Sequence, residues 1–355
     1  TLDQSISSST NNNVLIYAIL LMYPNNLLDA DSPNRYIKHP DGSEETNIDA
    51  VNLTDQRGVD YYGAIVSFLA ERYNGDNPSC GRVVGYIVGN EITDQRVWHD
   101  MGDKSLAEFT RQYEWQLRMT NTLVKKASAA ARVYVSMEHH WNSSTAEGYC
   151  GKKLLETLNE YTKAAGDYGW NVAYHSYPDD ITDPRTWNDN VTDDLNTKKI
   201  TFKNIQVLPQ FLSQDSMKYD GESRRVVLSE QGFDTRYAKL SEEEAEAEQA
   251  AGYAYAFYKI ASTPGIDVFI LHRHVDGESE GFRFGLWTTI EGEESQPGRQ
   301  KKIYDVFKYI DTEKSREATE FALDFISKDT GKTLNNWKDI IPEFNEADMF
   351  NTICT

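Results

Sequence analysis

Six short strand-like runs alternate with helical stretches along this 355-residue chain, and the first of them is a near-continuous apolar run without polar alternation. Runs of that kind read as strands buried on both faces, as in a parallel sheet. The first, Val14 to Tyr23 (VLIYAILLMY), stops at Pro24, and a long polar loop to Asp55 leads to the helical pattern of Gly58 to Tyr73. Val83 to Glu91 is followed by a helix over Ser105 to Ala129, and Arg132 to Trp141 by one over Lys152 to Ala165. Asn171 to Tyr177 leads through an Asp-rich loop to a helix near Asn204 to Gln214. Arg224 to Glu230 precedes a helix at Ser241 to Ser262, and Asp267 to His274 precedes one over Arg299 to Tyr309.

Polar and aromatic residues gather at the carboxyl ends of these strands, and no Gly-rich phosphate loop follows any of them. The pattern favours an α/β fold of the (β/α)8 TIM-barrel type over a doubly wound sheet. A full barrel needs eight strands, and six are present. Thr1 to Asn13 reads as the tail of a helix, so strands 1 and 2 are expected to be lacking here and to come from upstream residues or another chain. Residues 1–311 form the expected barrel, from the end of helix 2 onward, and residues 312–355 a C-terminal helical extension packed on it.

Acidic residues outnumber basic ones 56 to 36, for a formal net charge of -20, which repels nucleic acid and anionic membrane surfaces. No apolar run approaches the roughly 20 residues that cross a bilayer, so neither partner is expected. Cys80, Cys150 and Cys354 are too scattered for a disulfide framework or a zinc site, with room for one bridge at most. No cofactor and no metal is expected. The 12% aromatic content suits stacking against the C–H faces of carbohydrate, although most such rings fill cores.

Two glutamates end two different strands: Glu91, in Gly89-Asn90-Glu91, and Glu230, in Ser229-Glu230-Gln231-Gly232. Strand carboxyl ends face the active site of a barrel, and two carboxylates about 5 to 5.5 Å apart are what double-displacement glycoside hydrolysis requires. In these features the chain resembles the clan of retaining (β/α)8 glycoside hydrolases, over roughly Val14 to Asp311. In that clan the acid/base follows Asn at the end of the fourth strand and the nucleophile ends the seventh. Tyr174-His175-Ser176-Tyr177 is similar to the clan's segment supporting the nucleophile, and Gly285-Leu286-Trp287 with Lys302-Ile303-Tyr304 to its closing pattern. It is also similar to a poorly characterised bacterial group within that superfamily.

The resemblance implies Glu91 as acid/base, Glu230 as nucleophile and Asn90 as hydrogen-bonding the sugar 2-hydroxyl. It also implies a barrel lacking the second-strand arginine that many members place near the nucleophile. Hydroxyl recognition is expected from His140, His175, His272 and Arg273, a hydrogen bond that helps keep the nucleophile ionised from Tyr177, and ring stacking from Trp98, Trp141, Trp187 and Trp287. Trp115, Trp170 and Trp337 are expected to be packing residues. Alternation places Glu138 and His140 on one side of their strand and His139 and Trp141 on the other. The function implied is a retaining glycosidase acting on a polysaccharide or oligosaccharide. Two alternatives remain beside it: a carbohydrate-binding barrel that does not hydrolyse, and a metal-dependent hydrolase built on His272 and His274. A polymer-degrading role implies a secreted, periplasmic or cell-surface location.

Overall fold

The computed structural model describes residues 1–23, 34–43, 45–236, 240–277 and 279–346. Part of the loop expected over Pro24 to Asp55, and Cys354 with the end of the expected extension, lie outside the described residues. Cys80 and Cys150 are free thiols. The chain divides into two compact units, residues 1–173 with 213–224 and residues 174–212 with 225–355.

The first unit runs α1 (Leu2–Asn11), β1 (Tyr17–Leu20), α2 (Asn34–Ile37), α3 (Gln56–Arg72), β2 (Gly85–Val88), α4 (Gln95–Trp98), α5 (Leu106–Ala127), β3 (Arg132–Met137), α6 (Gly151–Ala164) and β4 (Trp170–Tyr174), the last residue of β4 belonging to the second unit. Its strand order follows the chain, and β1–β2 and β2–β3 are parallel. Every residue of β2 and β4 is buried, as in a parallel sheet covered on both faces. The backbone of Gly85 lies against two rings: a Cβ there would stand 2.3 Å from Tyr17 and 3.0 Å from Tyr134. The long helix α5 starts at a reciprocal Ser105–Glu108 capping box. It buries Phe109, Tyr113, Leu117 and Val124 along one face, and the Tyr113 hydroxyl donates to the Val88 carbonyl at 2.7 Å, tying α5 to β2.

β1 differs from expectation. Its apolar run predicts burial on both faces, yet Val14 (54%), Leu15 (61%) and Tyr23 (49%) are largely exposed. The reason is topological: among the described residues β1 has β2 as its one neighbour in the sheet, so no strand pairs with its other edge. On α3, Tyr61, Ile65 and Phe68, spaced at helical intervals, are exposed as well. No parallel strand precedes β1 among the described residues; α1 stands there instead.

The second unit contains α7 (Val207–Leu212), β5 (Val226–Leu228), α8 (Glu242–Ala261), β6 (Ile266–Phe269), an antiparallel hairpin of β7 (Trp287–Ile290) and β8 (Glu293–Gln300), α9 (Lys302–Tyr309) and α10 (Ser315–Thr330). β5 and β6 are parallel neighbours. The hairpin lies between β6 and the following helix, which starts at Lys302 rather than at the expected Arg299. Helix α8 carries three glutamates in its first turn, where the helix dipole favours negative charge, and a Ser241–Glu244 capping box. From Ala245 onward it is buried almost all round, and its alanines allow close approach. Helix α10 packs on it through the Tyr258 hydroxyl, 2.9 Å from Thr319 Oγ1.

Two buried charges are held differently. Arg224 is 4% exposed. Its guanidinium lies 3.7 Å from the Trp170 ring centroid and donates to the Asp167 carboxylate and to the carbonyls of Tyr168, Trp170 and Met217. Asp189, in the Asp-rich loop after β4, accepts from the Asp179 N–H at 3.1 Å and the Thr186 hydroxyl at 2.7 Å. Burial raises its pKa to about 6 against those hydrogen bonds. The rest of that acidic run is also used locally, with Asp183 holding Arg185 and Asp179 holding Lys199.

Replacing Arg224 by Met should leave several acceptors unpaired and lower stability by about 2–4 kcal/mol in denaturant unfolding. Full retention of the midpoint would show that the cluster is dispensable. For Asp189 the folded pKa lies above the unfolded value of about 3.9, so the native state is favoured at low pH and loses stability as pH rises through about 6. Asp189→Asn should therefore narrow the stability difference between pH 4 and pH 8 by on the order of 1–3 kcal/mol. An unchanged difference would mean that Asp189 does not carry the effect.

Candidate active site

In the first unit the polar groups begin where β2 ends. Gly89, at φ +74°, turns the chain so tightly that a Cβ would stand 2.5 Å from His99 Nδ1. Asn90 follows and is buried at 8% exposure. Glu91 then adopts φ +36° and ψ +52°, a left-handed conformation that is unfavourable for a residue with a Cβ. Such outliers persist only where the surroundings hold them, and they cluster at functional sites. Here the Glu91 N–H donates to Ser136 Oγ on β3 at 3.0 Å, and the next two residues, Ile92 and Thr93, are buried anchors.

β3 ends at Met137, and past it the expected alternation does not hold: the His139 ring lies 4.8 Å from that of His140, on the side of Glu138 rather than opposite it. Thr93 Oγ1 donates to Glu138 Oε1 at 3.1 Å. Glu138 Oε2 lies 2.7 Å from the His140 backbone nitrogen and 2.6 Å from its Nδ1. Burial pushes the Glu138 carboxyl up, but the hydrogen bonds and charge of His140 outweigh it and hold the group below the ordinary range. Ligand atoms of Glu138, His139 and His140 fall within 4.8 Å of one another and are the first unit's candidate metal ligands, although Glu138 is engaged by His140 and Thr93. Trp98, at the end of α4, is half-buried. Trp141 corrects the expectation of a stacking platform: it lies past the end of β3, is 0% exposed and serves as core. Trp187, in the second unit, is likewise buried, its Nε1 donating to Asp329 Oδ2 at 2.7 Å.

In the second unit the chemistry gathers around Glu230. Two backbone hydrogen bonds continue the strand alignment to this point: Ser229 N–H to the Tyr174 carbonyl at 3.3 Å, and His272 N–H to the Gln231 carbonyl at 2.8 Å. Tyr177 donates its hydroxyl to Glu230 Oε1 at 2.9 Å. The fully buried His175 places Nδ1 3.9 Å from Glu230 Oε2. The Glu230 side chain keeps 27% of its surface open. Burial alone would raise its pKa; the charges of His175 and His272 and the Tyr177 hydrogen bond together outweigh that and hold it below the usual carboxylate range. This is a carboxylate kept ionised.

Phe284 packs behind this group, its ring centroid 5.7 Å from Tyr177 and 6.2 Å from His272. Gly232 makes room for it, since a Cβ there would lie 2.4 Å from Phe284 and 2.6 Å from the His272 carbonyl oxygen. His272 Nε2 stands 3.2 Å from Glu280 Oε2, and Arg273 donates to Glu280 Oε1 at 2.7 Å. His274 is exposed, with its ring 6.5 Å from Trp287, and it joins no group of three ligand atoms among the described residues. Trp287 is half-buried and meets Tyr304 edge-on at 5.3 Å. A cleft of about 910 Å³ in this unit is lined by Asp276, Arg283, Thr288 and Lys301, and no residue of the Glu230 group lines it. The carboxylate and its donors, rather than that concavity, mark the chemistry.

His175, Tyr177, Glu230, His272 and Arg273 are thus brought together in one unit, and Asn90, Glu91 and His140 lie on adjoining strand ends of the other. Sequence reasoning passed over Ser136, Thr93, Phe284 and Glu280. Ser136 was findable, being two residues ahead of Glu138 in the same strand-like run; Phe284 and Glu280 lie in a loop without periodicity.

Comparison with known proteins adds fold and family. No curated protein matches the chain. Among solved structures it is similar to a glucosidase from Croceicoccus marinus, with a TM-score of 0.51 and 13% identity over 86% of this chain and 52% of that one. It is also similar to the intracellular xylanase TsXylA from Thermoanaerobacterium saccharolyticum, with a TM-score of 0.52 and 10% identity over 84% of this chain and 77% of that one. The chain spans about half the length of the glucosidase. At these identities the likeness shows the fold alone, an α/β fold of the (β/α)8 type. A family model matches residues 1–334, and the chain therefore belongs to DUF5722, a family of unknown function.

Proposed function

We propose that this chain is a retaining glycoside hydrolase acting on a polysaccharide or oligosaccharide. The observation that carries the proposal is the state of Glu230, a mostly buried carboxylate kept ionised by Tyr177 and two imidazoles at a strand end. A nucleophilic carboxylate has to be unprotonated, aimed and shielded from bulk water at once.

In the proposed mechanism Glu230 attacks the anomeric carbon while Glu91 protonates the leaving glycosidic oxygen. Water deprotonated by Glu91 then releases the sugar from the glycosyl-enzyme. Asn90 is assigned to the sugar 2-hydroxyl, and His140, fixed by Glu138, to a neighbouring hydroxyl. The left-handed backbone at Glu91 supports an aimed role for its side chain. The exposed apolar surface of β1 and α3 supports a further assignment: two more strands, from upstream residues or another chain, cover it. Action on an extracellular polymer would go with a secreted, periplasmic or cell-surface location, which is part of the same proposal.

The test is reducing-end release from a broad polysaccharide panel by the parent and by Glu230→Gln. The parent should release sugar and the variant should be slower by on the order of 10³-fold or more with binding retained. Equal release by both would remove Glu230 as nucleophile, and binding without release by either would favour a carbohydrate-binding protein. Tyr177→Phe removes a donor to the ionised carboxylate, so Glu230 should take up a proton at higher pH. The acid limb of the kcat/KM profile should move up by about 0.5–1 pH unit. A limb that stays in place would detach Tyr177 from the nucleophile.

A further inference from the structure

His272 and Arg273 converge on one carboxylate, that of Glu280, which reaches back from a loop seven and eight residues ahead in sequence. Glu280 keeps 39% of its side chain exposed, and His272 and Arg273 keep 31% and 28%. Ion pairs this open contribute about 0–1 kcal/mol, so Glu280 is held loosely enough to be exchanged. The loop is shaped around the pair: at Gly277 a Cβ would stand 2.7 Å from Arg273 Nη1 and 3.2 Å from Glu280 Oε2. The site also adjoins the chemistry, because the His272 ring packs on Phe284, which packs on Tyr177, the donor to Glu230.

We infer that Glu280 stands where an anionic substituent of the substrate sugar binds, and that Arg273 and His272 select a sugar bearing a carboxylate or a sulfate ester. This rests on the proposed glycosidase role of Glu230 and specifies its substrate class. An arginine fork and an imidazole offer several N–H donors to a planar or tetrahedral oxyanion. Glu280 keeps those donors satisfied while the site is empty and swings aside when the sugar's own anion arrives. The chain's net charge of -20 sets a further condition. A densely charged polymer is repelled at long range, so the fitting substrate carries isolated acidic or sulfated residues among neutral ones.

The test measures binding apart from turnover, using saturation-transfer NMR on the full chain carrying Glu230→Gln. The probes are D-glucuronate, D-galacturonate and D-galactose 6-sulfate, against D-glucose and D-galactose. At least one anionic sugar should bind about tenfold more tightly than its neutral counterpart, and the uronate and sulfate arms separate the two sources of charge. Arg273→Gln should abolish the preference. Glu280→Gln, which removes the internal competitor, should strengthen anionic binding severalfold and leave neutral binding unchanged. Equal binding of neutral and anionic sugars, a preference that survives Arg273→Gln, or no binding of any anionic sugar would each overturn the inference. Hydrolysis of neutral polymers with no Arg273-dependent anion preference would sink it while the hydrolase stands. Anion-selective binding without hydrolysis of any polymer by the parent would do the reverse.

Discussion

A strand covered on both faces has nowhere to place a charged side chain except its ends, and the organisation of this molecule follows from that constraint. β2, β4 and β5 are buried throughout, so their apolar interiors supply stability and their carboxyl ends receive the polar groups. Glu91 sits three residues past the end of β2, and Glu230 two past the end of β5. Each carboxylate stands at the boundary between a dry interior and solvent. A group at such a boundary can be dehydrated enough to be reactive and still be reached by a substrate.

The two glutamates are supported by different means. Glu91 is aimed by its backbone: a tight glycine turn, a left-handed residue and a serine hydroxyl on the neighbouring strand capture its N–H. Glu230 is governed by its side-chain environment, in which a phenol and two imidazoles offset the desolvation that would otherwise neutralise it. A nucleophile needs its charge fixed, whereas a proton donor needs its position fixed and its proton available. The supports fit the two roles in the proposed mechanism.

Much of this was legible in the chain because parallel strands and amphipathic helices write strong periodic signals. The runs at Val83, Arg132, Asn171 and Arg224 all contain strands, and the helices at Gly58, Ser105, Lys152 and Ser241 are present. What escaped has physical reasons. The run at Val14 looks like a buried strand because apolar content reports a demand for cover, and composition does not say which element supplies it. The β7–β8 hairpin is largely exposed and rich in Glu and Gly around a turn at Gly292, so no apolar alternation announces it. Trp141 was legible as an aromatic after a strand, but not its direction, since β3 ends at Met137 and strand alternation no longer governs a residue four positions on. The supports Thr93 and Phe284 act across long sequence separations, and nothing local encodes such contacts.

The distribution of cations in an acidic chain carries the last step. With 36 basic residues against 56 acidic ones, most surfaces are negative, and a buried carboxylate would ordinarily be pushed toward its neutral form by its surroundings. The second unit answers with positive or polarisable groups placed at short range: His175 and His272 act on Glu230, and Arg273 stands next in the chain. Short-range contacts outweigh a diffuse negative field because the field is screened within about 8–10 Å at physiological salt, while partly buried neighbours are not. Moving those few groups would therefore change the ionisation of Glu230 far more than altering surface charge elsewhere. The electrostatics of Glu230 are consequently local to the ends of β4, β5 and β6, which ties a single chemical property to the register of three strands.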